Sequence, residues 1–182
     1  MNSEIIKFYR GERNKNNVTL EEVWDFSDKE LEHIHNYIQF LFPIVEPDYW
    51  NRDTPKLSEE DIKEFKNDKV LRRNLVQSFI VILGFWGFDV NVDSGDIIIS
   101  KSEDYEHKRK NWQTYMNHNF LRITRVIHCL NDLGFYKLAD KFHQCIMDVV
   151  AENPERFNKT TIEFWDKAMV KNMKGESYEE KL

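Results

Sequence analysis

Residues Asn117–Gly134 read NHNFLRITRVIHCLNDLG. At about 100° per residue along an α-helix, Met116, Phe120, Ile123, Val126, Ile127, Leu130 and Leu133 share one broad apolar face. His118, Arg122, Arg125 and Asp132 fall on the opposite side. His118, Arg122 and Arg125 are spaced i, i+4, i+7, which stacks three cationic or titratable groups in one line. Asn119 sits within the apolar face, where an amide must find hydrogen-bond partners or cost free energy. A helix built only to pack needs neither the stripe nor the amide. The spacing predicts a helix from Trp112 to Leu133, ended by Gly134 in a left-handed cap.

Working outward, Phe135–Ala151 reads as another helix, with Leu138, Phe142, Ile146 and Val149 inward. Thr160 to Glu163 has capping-box spacing and opens a last helix carrying Phe164, Trp165, Ala168 and Met169. On the N-terminal side, Phe88–Ser100 changes period. Val90, Val92, Ile97 and Ile99 are β-branched around the turn Asp93-Ser94-Gly95-Asp96, which predicts a short hairpin. Before it, a helix over Lys69–Leu83 becomes apolar on every side at Phe79–Leu83. Ser58 starts a shorter helix stapled by Leu57 and Ile62, broken at Asn67 and Asp68. Ser27 and Glu30 form a capping box for a helix expected to run to Phe42, because Pro43 cannot continue it. Leu31, Ile34, Ile38 and Leu41 would be its buried stripe, with His33 and Phe40 outward. The fold class is mainly α: a single-domain irregular helical bundle of about five to six helices with one short β-hairpin. Residues 1–18 read as a polar arm docking through Phe8 and Tyr9, 19–170 as the helical domain, and 171–182 as a charged flexible tail.

Composition bounds the function. The chain has 182 residues, 41% hydrophobic and 14% aromatic, enough for a real core. Its net charge of −6 argues against nucleic-acid binding through bulk charge. Two cysteines, Cys129 and Cys145, make no disulfide framework and show no metal spacing. The first residues carry no apolar signal segment, and no apolar run reaches the ~20 residues of a membrane span. The expectation is a cytoplasmic or nuclear/perinuclear protein, not secreted, with at most peripheral membrane association. Asp89-x-Asn91-x-Asp93 begins like a calcium loop, but Ser94 stands at the glycine position and Ser100 at the final glutamate position. No metal or cofactor is expected. Nucleophile elbows, zinc-protease motifs and phosphate loops are absent.

Two long motifs carry a resemblance. The Asn117–Gly134 run is similar to an HNxLRITRxLxxLxxLG-like pattern, and His35–Pro43, HNYIQFLFP, followed by Glu46-Pro47, is close to HxYIQWLFPxxEP. Phe8-Tyr9-Arg10-Gly11 and Asn111-Trp112 add weaker matches. Both patterns belong to the opioid growth factor receptor conserved domain, which the chain resembles from about Phe8 to Trp165; Phe40 replaces the family's tryptophan. The resemblance implies opioid receptor activity of a soluble intracellular kind, the reception of a small enkephalin peptide.

The residues themselves leave three readings open. In the preferred one, a non-enzymatic module binds a small peptide or anionic ligand. Arg122 and Arg125 grip a carboxylate or phosphate, His118 and Asn119 orient it, and His35, Gln39, Phe40, Tyr49 and Trp50 line an aromatic groove. In the second, His118 is the acid/base of an enzyme acting on an anionic substrate. In the third, the domain is structural and contacts a protein partner. Against all three stands the plainer account that Arg122 and Arg125 bond the chain's own groups.

Overall fold

The computed structural model describes residues 3–45, 54–93 and 96–169. The protein is mainly α, with ten α-helices and one antiparallel hairpin among the described residues. It divides into two compact units, Met1–Val81 and Ile82–Leu182.

In the first unit, α1 (Glu4–Tyr9) is capped by Ser3 and buries Ile5, Ile6, Phe8 and Tyr9. Tyr9 meets Phe65 edge-on at 4.9 Å, and its hydroxyl donates to the Leu41 carbonyl. α2 (Leu20–Trp24) and α3 (Asp28–His33) each start at a complete capping box, Thr19 with Glu22 and Ser27 with Glu30. The expected helix from Ser27 to Phe42 does not run through. α3 ends at His33, Ile34 turns extended, and α4 (Ile38–Leu41) starts afresh. The Tyr37 hydroxyl donates to the Leu31 carbonyl at 3.0 Å, tying the break together. The interruption resets the helical phase, so Phe40 turns inward to 1% exposure. α5 (Glu59–Asn67) carries a capping box of Ser58 and Asp61. Asp68 ends it and caps α6 (Lys69–Trp86), accepting from the Val70 and Leu71 amides at 2.8 and 3.2 Å.

The second unit begins in the last turn of α6 and continues as β1 (Phe88–Asp93) and β2 (Asp96–Lys101), paired from Phe88↔Lys101 to Asp93↔Asp96. Asp89 and Asn91 lie on a regular strand. Next come α7 (Tyr105–Trp112), α8 (Asn119–Asp132), α9 (Tyr136–Glu152), a 3-10 turn at Pro154–Arg156 and α10 (Lys159–Ala168). The core is built on tryptophans with satisfied N–H groups. Trp112 donates to the Trp86 carbonyl at 2.9 Å, Trp165 to the Phe120 carbonyl at 3.1 Å, and Trp86 stacks on Phe142.

Two expectations are corrected here. Trp112–Leu133 is not one helix. Met116 takes φ 54°, in the left-handed region that ends a helix, and α8 starts only at Asn119. Met116 therefore leaves the apolar face it was expected to extend. The last helix is capped by Asn158, which accepts from the Thr161 amide at 2.8 Å, and not by Thr160. Phe157, packed between Trp112, Phe120 and Trp165, directly precedes that cap and fixes the helix entry two residues earlier than expected.

Candidate functional site

The first turn of α8 is organised by two asparagines. Asn117 donates from Nδ2 to the Asn111 carbonyl and to Thr114 Oγ1, both at 2.8 Å. Its Oδ1 accepts from the Asn119 backbone at 2.9 Å and from Asn119 Nδ2 at 3.0 Å. Asn119 is fully buried, and its Oδ1 accepts from Trp86 Nε1 at 3.3 Å and Arg122 Nη1 at 3.1 Å. The amide on the apolar face thus has the partners its burial demands. It also orients a guanidinium.

Arg122, expected on the polar face, is only 5% exposed. Its four-atom reach carries the charged end under the helix toward Asn119, which spacing alone does not reveal. Arg125 and His118 are half-buried and Leu121 is exposed. His118 occupies the helix N-cap position with no capping bond from its side chain. Four of the sequence-derived site residues, His118, Asn119, Arg122 and Arg125, therefore lie within the first turns of one helix.

The others lie in the first unit. His35 is exposed. Gln39 is half-buried, and its amide nitrogen donates to the His35 and Asn36 carbonyls at 3.1 and 3.3 Å, serving the break between α3 and α4. Phe40, expected to line an aromatic groove, packs against Phe8 with ring centroids 5.5 Å apart. Tyr49 and Trp50 lie outside the described residues. A cleft of about 500 Å³ opens in this unit, lined by Leu20, Trp24, Val70 and Arg73 among others, and contains none of the sequence-derived residues.

Sequence reasoning missed the polar centre formed by Tyr105 and Gln113. Gln113 Nε2 donates to the Tyr105 hydroxyl at 2.7 Å, and Gln113 is 1% exposed. Burial pushes the Tyr105 phenol up to about 12, against the opposing bond from Gln113. Burial likewise raises both thiols, Cys145 to about 12 and Cys129 well above the ordinary range. Neither cysteine is poised as a nucleophile. No helix among the described residues is long and apolar enough to cross a membrane.

A helical chain whose signature helix carries a buried, amide-oriented arginine has clear relatives. The family model for the opioid growth factor receptor conserved region matches residues 2–177, and the chain belongs to that family. It is 32% identical to the opioid growth factor receptor of Rattus norvegicus over 134 residues, 71% of this chain and 23% of that protein. The Homo sapiens receptor is 31% identical over 134 residues, 71% of this chain and 19% of that protein. The opioid growth factor receptor-like protein 1 of Xenopus tropicalis is 26% identical over 155 residues, 81% of this chain and 29% of that protein. The chain spans less than a third of the length of these relatives. No solved structure matches it.

Proposed function

We propose that this domain is a non-enzymatic binding module that receives a peptide or another anionic ligand at the start of α8. Arg122 and Arg125 take the anionic group, and His118 sets its orientation. The observation that carries the reading is the bond from Arg122 to Asn119. A neutral amide, held at its oxygen by Trp86 and at its nitrogen by Asn117, orients the guanidinium without contributing charge of its own. A cation oriented in a partly desolvated setting binds a carboxylate more strongly than a mobile surface cation, since less side-chain freedom is lost on binding. Kinship supports the same reading, because the relatives are named as receptors for a growth factor.

The test is a thermal-shift panel of short carboxylate-bearing peptides and inorganic phosphate. A ligand selective for the native state raises the melting temperature by mass action. At least one probe should raise it, and Arg122→Lys and Arg125→Gln should each remove the effect while still melting cooperatively. Lysine keeps the charge but loses the planar fork. A shift that survives both substitutions overturns the reading.

A further inference from the structure

Among the described residues, the three most exposed large apolar side chains are Tyr115 at 77%, Met116 at 74% and Leu121 at 68%. They fall within seven residues of chain, on the loop entering α8 and on its first turn. Met116 holds a left-handed backbone, strained for any residue with a Cβ, and its side chain gains no burial in return. Leu121 is three residues from His118 and four from Arg125, the spacings that put helix side chains side by side.

The stretch of chain that carries them is one-sided in charge. From His107 to Asn131 the chain has five Lys or Arg, three His and no Asp or Glu, in a protein of net charge −6. Within that run Lys108 and Arg109 are engaged by Asp104 and Glu106, whereas the exposed Lys110 makes no ion pair with the described residues. Apolar side chains held in water beside an acid-free cationic stretch complement a ligand that is apolar at one point and acidic around it.

We propose that Tyr115, Met116 and Leu121 form a docking surface for an acidic segment of another protein, which seats a bulky apolar side chain among them. The inference rests on the reading of α8 given above and names its ligand as a protein segment, not a small anion. An anionic membrane is the weaker fit, because an extended anionic surface meets the net charge of the whole acidic chain, whereas a short acidic segment meets only the local cationic stretch.

The experiment uses two series of short synthetic peptides rich in Asp and Glu, one with a single Leu, Phe or Trp and a matched one with Ser there. Binding to the whole chain is followed by fluorescence anisotropy. The apolar series should bind about tenfold or more tightly than the Ser series, since one buried apolar side chain supplies at least that factor. Tyr115→Ser with Leu121→Ser, both on exposed positions, should erase the preference without changing the melting temperature. No binding, equal binding of the two series, or a preference that survives the double variant overturns the proposal. Equal binding of both series that depends on Arg122 and Arg125 leaves the anion site standing and removes only the docking surface. A preference lost in the Ser variant but untouched by Arg122→Lys and Arg125→Gln keeps the surface and removes the arginine grip. Attachment through Tyr115 and Leu121 to phosphatidylserine–phosphatidylcholine vesicles, without peptide binding, makes the surface a lipid contact and also overturns the proposal.

Discussion

Arg122 donates to Oδ1 of Asn119, one turn earlier on the same helix, at 3.1 Å. That bond joins the packing face of α8 to its cationic face. Trp86 donates to the same oxygen, so the residue that orients the guanidinium also satisfies an indole of the core. Changes at Asn119 should therefore register in stability before they register in binding.

Asn119→Leu, close in volume, leaves the Trp86 indole N–H and one Arg122 N–H without this acceptor. Each orphaned buried donor costs about 1–3 kcal/mol, so the expected loss for two is about 2–6 kcal/mol. Urea unfolding measures it. A loss below about 0.5 kcal/mol, the scatter of an ordinary surface substitution, would show that the network adds nothing to the fold.

Gly87 and Gly11 separate conformational cost from steric cost. Both hold φ near +90°, but a Cβ at Gly11 meets nothing within 4 Å, whereas at Gly87 it lies 3.1 Å from the Tyr105 backbone. Gly11→Ala should cost about 1–2 kcal/mol from the backbone alone. Gly87→Ala should cost more, by about a further 1 kcal/mol or greater, because the Tyr105 backbone cannot swing aside. Thermal melts of the two variants test the order; equal losses would refute the close approach.

Asp68 links stability to acid. Partial burial pulls its pKa upward, but the Val70 and Leu71 amides and the Arg10 guanidinium outweigh that and hold it below the usual carboxylate range. A carboxylate depressed in the folded state stabilises above its unfolded pKa, about 3.9. That contribution is lost as pH falls through the lower folded value. Asp68→Ala should cost about 1 kcal/mol at neutral pH, the worth of a helix cap. The gap from the parent should narrow below about pH 4. A gap that stays constant into acid removes the linkage.

Tyr105 links stability to alkali. Its phenol is pushed up to about 12 from 10.0. Between those values the native state keeps a proton that the unfolded chain has released, so stability falls as pH rises through the window. Tyr105→Phe should flatten that fall in alkaline denaturation curves. An unchanged slope would show that Tyr105 does not titrate differently in the two states.

Much of the architecture was legible because its causes are local. The spacing of Phe120, Ile123, Val126, Ile127, Leu130 and Leu133 marks the face that α8 buries, and all six are buried. The β-branched run and its Asp-Ser-Gly-Asp turn announce the hairpin. Ser27 with Glu30 and Ser58 with Asp61 mark helix starts, since each side-chain oxygen reaches an amide only a few residues away; Asp68, read as a helix breaker, also caps the helix that follows.

Tertiary packing decided the rest. Helix propensity does not stop a helix at Ile34; the break puts Phe40 against Phe8, 32 residues earlier, and with it Phe40 becomes core instead of surface, while the Tyr37–Leu31 bond closes the turn. Asn158 and Thr160 are both competent caps, and the ring cluster around Phe157 chooses between them. Helical periodicity placed Arg122 on the outer face, but a long side chain can be drawn back toward the packing face of its own helix when its guanidinium shares a buried amide oxygen with an indole there. A sequence states which groups lie within a turn of one another. Only the folded chain brings Trp86, 33 residues away, to Asn119 and so fixes where Arg122 points.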